Sequence, residues 1–310
     1  MEISVLVLCE LDAAHRELLA QRYRTTFATT PAQRAEAIRT RGAAFEAVLT
    51  IGLLGLRADE MDALPRLRLI ACMGAGHERV DVDAARARGI AVSNGRGAND
   101  ECAADHAMGL VIATMRDLRG LDRLCRAGVW RTAIPLPPNV SGKRLGILGM
   151  GAVGERIARR AQAFQMQIGY HNRRSRPDLG HRYFASLAEL ARWCDVLVCA
   201  APGGAGTQHL VDAQMLQALG PRGFLVNVGR GSIVDTRALA DALQTAGIAG
   251  AGLDVYESEP EPPAELIGID NLILSPHVAG WSPEAVDAQF STALRNLEGV
   301  FFGSGPVTPV

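Results

Sequence analysis

The chain has 310 residues, with 32 Lys and Arg against 33 Asp and Glu, a net charge of −1 and 48% hydrophobic residues. That length suits two domains of ordinary size, each with a full core. The near balance of charge, with no long block of one sign, argues against nucleic acid or an anionic membrane as the main partner.

The N-terminal stretch has an acid at Glu2 and too short an apolar run for a signal peptide. "ISVLVL" predicts a strand and "DAAHRELLAQRY" a helix. Further short apolar runs follow at Ala47–Thr50, Leu67–Met73 and Ile90–Asn94, with helix-like pieces such as "DVDAARARG" between them. Strands alternating with helices predict a parallel sheet covered on both faces. Residues 100–126 read as one long helix, apolar through its middle and so buried between other elements. The Pro-rich "GVWRTAIPLPPNVSGK" reads as an extended arm. A second α/β unit begins at "KRLGILGMGAVGERIARR", with strand candidates in "MQIGYHN", "VLVCAAP", "GFLVNVG", "AGAGLDV" and "NLILSPH". The helical tail "SPEAVDAQFSTALRNLEGVFFG" is expected to return and cover the first sheet. No apolar run approaches the ~20 residues of a membrane span. The six cysteines, Cys9, Cys72, Cys102, Cys125, Cys194 and Cys199, include no C-x-x-C pair. They predict reduced, buried thiols in a cytoplasmic protein.

Gly149-x-Gly151-x-x-Gly154 follows a strand and opens a helix. In that context the first glycine permits a tight turn, the second admits a pyrophosphate and the third lets helix and strand pack closely. Ala152 and Val153 lie inside this cofactor loop, whose free N–H groups and helix dipole favour an anion. About 20 residues further on, an acid usually grips the ribose 2′-OH. Here that place holds Asn172, followed by Arg173 and Arg174. An acid would repel a 2′-phosphate, whereas arginines fork onto its oxygens. The expected cofactor is NADP(H) in preference to NAD(H).

Three later strand ends carry Arg230, then Asp254 and Glu259, then His277. In an open parallel sheet all of them would face one cleft at the carboxyl edge, beside the phosphate loop. With "GAGHERVDVDAARARGIAV", the "AADHAMGLVIA" helix, "LGILGMGAVG", "VNVGRGSIVD", "GLDVYESEP" and "SPHVAGW", the chain resembles the D-isomer-specific 2-hydroxyacid dehydrogenases over nearly its whole length. Within them it looks most like the NADPH-using glyoxylate/hydroxypyruvate and hydroxyphenylpyruvate reductases.

The resemblance implies an α/β fold of two doubly wound parallel-sheet domains. A Rossmann-type cofactor domain, residues 99–283, is inserted into a flavodoxin-like substrate domain, residues 1–98 and 284–310. It implies that Arg230 holds the substrate carboxylate and 2-oxo oxygen, that His277 is the acid/base, and that Glu259 pairs with His277. Asp254 would sit near the nicotinamide carboxamide, with Val228 and Pro202 also on the cofactor side. Backbone amides around Ala75 and Gly76 would hold the carboxylate from the other domain. Leu53 lines the pocket or belongs to the core, and Trp281 walls the pocket or packs on the surface. His106 reads as a packing histidine. No metal is required, since no His, Cys or acid cluster has ligand spacing. Small 2-oxo acids come first as substrates, bulkier ones such as hydroxyphenylpyruvate second. Glu259 and the two arginines speak against a formate dehydrogenase, and a corepressor-like nucleotide sensor is the alternative of a different class. A homodimer through the long helix and the arm is expected, with Trp130 as a candidate anchor.

Overall fold

Short aliphatic runs buried on both faces become strands of parallel sheets, and the computed structural model, which describes residues 2–310, contains two such sheets. The chain divides into two compact units, Met1–Asn99 with Ser282–Val310, and Asp100–Trp281. In the first, β1 (Ser4–Val7), α1 (Ala13–Ala20), β2 (Arg24–Phe27), α2 (Pro31–Arg41), β3 (Ala47–Thr50), α3 (Ala58–Asp62), β4 (Leu69–Cys72), α4 (Val82–Ala87) and β5 (Ala91–Ser93) alternate along the chain. The second unit begins with α5 (Asp100–Met115) and α6 (Leu118–Arg126), followed by β6 (Arg144–Leu148), α7 (Ala152–Ala163) and β7 (Gln167–His171). Then come β8 (Arg182–Tyr183), α8 (Leu187–Trp193), β9 (Val196–Cys199), α9 (Ala213–Leu219), β10 (Phe224–Asn227), α10 (Thr236–Gln244), β11 (Gly250–Leu253) and β12 (Leu272–Leu274). The last helix, α11 (Pro283–Phe302), belongs to the first unit.

The first sheet has the order β2-β1-β3-β4-β5 and the second β12-β11-β10-β9-β6-β7-β8. These are the flavodoxin-like and Rossmann-type doubly wound orders. Period-two alternation sorts the core of the second unit. Leu145, Ile147, Val196, Val198 and Val226 pack with α5 and α7. Leu148, Leu197, Cys199 and Leu225 pack with α8, α9 and α10 on the opposite face. In the first unit, Phe290, Ala293 and Leu297 of α11 cover Val5, Val7, Leu49, Leu69 and Ala71. Side-chain caps at Asp12, Thr30, Asp212, Asp235 and Ser282 set helix starts.

The single helix expected over residues 100–126 is two helices. Asp117 takes a left-handed φ of 49° and its carboxylate accepts the Gly120 N–H at 3.2 Å, which stops α5 and caps α6. β2 and β8 were not anticipated; both lie at sheet edges, where burial leaves a weak apolar pattern. All six cysteines are free, but only Cys9, Cys72, Cys194 and Cys199 are buried; Cys102 is half-buried and Cys125 exposed, against expectation. Burial pushes the four buried thiols up to about 12. Among the described residues, no helix is long and apolar enough to cross a membrane.

The C-terminal tail runs along the free edge of β5: Asn94 N–H reaches Thr308 O at 3.2 Å and Val310 N–H reaches Val92 O at 3.0 Å. Buried Asn296 on α11 fastens it, donating to Thr308 Oγ1 at 2.8 Å and accepting the Thr308 N–H at 3.0 Å. Replacing buried Asn296 with Ala leaves the half-buried Thr308 groups unmet and should destabilise the chain by ~1–3 kcal/mol in urea unfolding. A loss below about 0.5 kcal/mol, the scale of an ordinary surface substitution, would contradict this.

Candidate active site

Every candidate group of the second unit sits on a connection leaving the carboxyl edge of its sheet, where the strand order reverses between β6 and β9. Gly149 has φ 98°, and a Cβ there would lie 2.5 Å from Ala201 N. At Gly154 a Cβ would fall 2.3 Å from Gly149 O, so both positions require glycine. Gly151 differs: a Cβ would meet nothing within 4 Å, so the loop faces open space there. Gly151 also caps α7 without a side chain, leaving the first-turn amides of Ala152, Val153 and Gly154 to bind an anion. These features fit a dinucleotide pyrophosphate. The loop is braced by Asn172, whose Oδ1 accepts the Met150 N–H at 2.7 Å. The residue in the usual ribose-acid position thus shapes the phosphate loop.

The basic turn after β7 separates into two kinds of arginine. Arg176 is committed to the protein, 3.0 Å from Glu155 and 2.8 Å from Asp178. Its N–H bonds the hydroxyl of fully buried Tyr170 at 2.7 Å. Arg173 and Arg174 are exposed and make no ion pair or hydrogen bond among the described residues. They remain available for a phosphate. After β9, exposed Pro202 accepts from Thr207 Oγ1 at 2.9 Å, and after β10 half-buried Val228 donates its N–H to Cys199 O at 3.0 Å.

Arg230, Glu259 and His277 come together. Buried Asn227 builds the turn before Arg230, donating to Arg230 O at 2.9 Å and accepting the Gly229 N–H at 3.0 Å. The Arg230 stem lies over Gly203, and its Nη1 donates to Gly229 O at 2.7 Å. Glu259 is held at one oxygen by the Tyr256 N–H, 2.8 Å, and faces His277 Nδ1 with the other, 2.7 Å. The Glu259 hydrogen bond raises the His277 pKa, burial opposes it, and the Arg230 charge also opposes it. Burial pushes Glu259 upward, but the bonds from His277 and Tyr256 N–H, with the His277 and Arg230 charges, outweigh it and leave the carboxyl low. Burial and the neighbouring Asp254 and Glu259 push the Tyr256 hydroxyl up to about 12.

Asp254, just after β11, is held by the protein itself. It is 0% exposed, and its carboxylate takes the Ser275 hydroxyl at 2.6 Å, the Val278 N–H at 2.9 Å and the Ala279 N–H at 2.8 Å. It therefore fastens the turn that carries His277. His277 itself has φ 54°. A left-handed non-glycine residue costs on the order of 1–3 kcal/mol and persists only where its surroundings impose it. Asp254 O accepting the His277 N–H at 2.8 Å is part of that imposition. Sequence reasoning missed Asn227, Tyr256 and Ser275. Their polar groups flank each motif, but only coordinates reveal which backbone they hold.

Trp281 is 71% exposed at the end of the second unit. Leu53, Ala75 and Gly76 belong to the first unit, on loops after β3 and β4. Leu53 is 45% exposed, so it is not a core residue. Ala75 O accepts from Asn94 Nδ2 at 2.8 Å, and a Cβ on Gly52 would lie 2.6 Å from the Gly76 carbonyl carbon.

Residues 108–279 match the family model of the D-isomer-specific 2-hydroxyacid dehydrogenase NAD-binding domain. The chain is 35% identical over 309 residues to glyoxylate/hydroxypyruvate reductase A of Arabidopsis thaliana, covering 99% of each. It is 36% identical over 310 residues to hydroxyphenylpyruvate reductase of Plectranthus scutellarioides, again covering 99% of each. Among solved structures it is similar to an NADPH-dependent glyoxylate/hydroxypyruvate reductase of Sinorhizobium meliloti in complex with NADP and malonate. That match has a TM-score of 0.91 and 38% identity, covering 100% of this chain and 97% of the other.

The two shifts define a pH window. The contribution of His277, whose pKa is raised, is complete below the ordinary imidazole value of ~6.5 and is lost as pH climbs through the raised one. That of Glu259, whose pKa is lowered, is present above the ordinary ~4.3 and is lost as pH falls through the lowered value. In Glu259→Gln the imidazole should titrate at lower pH than in the parent chain, read from its Cε1–H NMR signal. An unmoved midpoint would show that the contact does not set the proton affinity.

Proposed function

The chain belongs to the D-isomer-specific 2-hydroxyacid dehydrogenases, and from that premise we propose that it reduces a small 2-oxo acid to the D-2-hydroxy acid with NADPH. Glyoxylate and hydroxypyruvate are the first substrates in this reading. The observation that carries it is the 2.7 Å contact between Glu259 and His277, with the charge of Arg230 acting on both. The names of the Arabidopsis and Sinorhizobium relatives support the substrate class and the cofactor.

Bound reduced nicotinamide supplies the hydride that the substrate C2 accepts. As charge develops on the C2 oxygen, His277 Nε2 gives it a proton, forming the alcohol and leaving neutral imidazole. Glu259 holds Nδ1, so Nε2 is the nitrogen left to face substrate. Arg230 fixes the substrate carboxylate and stabilises the developing charge without rearranging. Solvent then returns the proton to His277. In the reverse direction the neutral imidazole removes the hydroxyl proton.

The uncommitted pair Arg173 and Arg174 supports NADPH over NADH. Their guanidinium forks match a 2′-phosphate, at about 1.5–3 kcal/mol for each well-formed bond to a charged group. A bulkier substrate is the second reading, favoured by the equally extensive match to hydroxyphenylpyruvate reductase. A homodimer is also part of the proposal, since Trp130 at 71% and Leu136 at 97% exposure leave apolar surface on the arm.

NADPH absorbance should fall on adding glyoxylate or hydroxypyruvate, and a preference for hydroxyphenylpyruvate would select the second reading. His277→Ala should lower kcat by ~10²–10⁴-fold; activity within a few-fold of the parent would remove His277 as proton donor. The double substitution R173A/R174A should raise the KM for NADPH at least ~10-fold and leave that for NADH nearly unchanged. An unchanged ratio of kcat/KM for the two cofactors would refute the phosphate-binding role.

A further inference from the structure

We propose that His106 is a positioning residue: through Ser275 and Asp254 it holds the turn that presents His277. This rests on the proposed role of His277 as proton donor. By sequence His106 looks like helix packing, in "AADHAMG" among small residues of α5. Its side chain is only 27% exposed, and Nε2 has a polar partner, Ser275 Oγ at 2.8 Å. The same nitrogen is 3.4 Å from Asp254 Oδ1.

Proton counting orients this chain. Ser275 has one hydroxyl proton, and its 2.6 Å bond to the Asp254 carboxylate uses it. Ser275 Oγ must then accept from His106, so Nε2 carries a hydrogen. The line runs from His106 Nε2–H to Ser275 Oγ–H to Asp254 Oδ1. From the other side the same carboxylate receives the Val278 and Ala279 N–H groups, at 2.9 and 2.8 Å. Asp254 O receives the N–H of His277 at 2.8 Å. The Tyr256 hydroxyl donates to Ser275 O. Every link terminates on residues 275–279, the segment that includes the left-handed His277.

His106 thus supplies a donor from a helix to a half-buried hydroxyl bound to a buried carboxylate, a pair that would otherwise have one acceptor unmet. If it is lost, Ser275 can rotate, the carboxylate loses its fixed bearing, and the two amides it holds move with it. The His277 ring then shifts against Glu259 and against substrate. A misplacement of ~1 Å at a reacting group costs up to about 10²-fold in rate. Packing alone would not need an imidazole here, because a leucine fills similar space.

The test compares His106→Leu with His106→Gln, whose amide nitrogen can reach the place of Nε2. In the Leu variant kcat for 2-oxo acid reduction should fall ~10- to 10²-fold with KM little changed. The Gln variant should recover most of that loss. The NMR titration of His277, which Glu259, Arg230 and Asp254 face, should move to lower pH in the Leu variant and return in the Gln variant. That readout needs no substrate, so a parent chain that reduces no 2-oxo acid sinks the proposed function while the midpoint still decides His106. An unaltered midpoint and unaltered kcat in folded His106→Leu would overturn the proposal. Should that variant not fold, Ser275→Ala reads the same link from the turn, with the same two outcomes deciding.

Discussion

One hydrogen bond, Glu259 to His277 Nδ1 at 2.7 Å, is the contact on which the proposed chemistry depends. It fixes which imidazole nitrogen faces outward, and it sets how strongly that nitrogen holds its proton. The Arg230 charge pulls the imidazole the other way, toward the neutral form. A donor must be charged before hydride arrives and able to yield its proton afterwards. Burial, an acid and a guanidinium act on one ring in opposite directions, which is the balance the proposed donor requires.

The pair is held by the way a parallel sheet ends. Asn227 closes β10, and Asp254 and Ser275 follow the neighbouring strands β11 and β12; the Ser275 hydroxyl holds the Asp254 carboxylate, and Asn227 and Asp254 tie down backbone beside a functional group. Asn172, after β7, does the same for the phosphate loop. Short polar residues at strand ends are rigid enough to over-determine strained turns. This is how His277 can hold a φ of 54°. The Arg176–Glu155 pair likewise ties the arginine turn to the first turn of α7.

The fold class was legible because fully buried strands write themselves as short aliphatic runs, as in β1, β9 and β10, and because the glycine spacing after β6 has one common structural use. Less was legible at edges. β2, with sequence Arg-Thr-Thr-Phe, is only partly buried, and β8 has two residues. The break at Asp117 was hidden by an apolar pattern that runs through both α5 and α6. In the site, residue types and order suggested Arg230, Glu259 and His277 as a group. Their supporting shell was not legible, because a side chain that bonds a distant backbone leaves no periodic trace. His106 and Ser275 are 169 positions apart, and nothing in either segment announces the other. The roles of Arg176 and of its two neighbours look the same in sequence and separate only when their partners are seen.

The most direct measurement is the pH dependence of kcat/KM in both reaction directions with one substrate pair. Reduction needs the imidazole charged, so its rate should be flat at low pH and fall above the raised His277 pKa. Oxidation needs it neutral, so its rate should fall below that same value. Two opposite limbs meeting at one midpoint would establish a single acid/base between Glu259 and substrate. Limbs with unrelated midpoints, or a reduction rate indifferent to pH across that range, would contradict it.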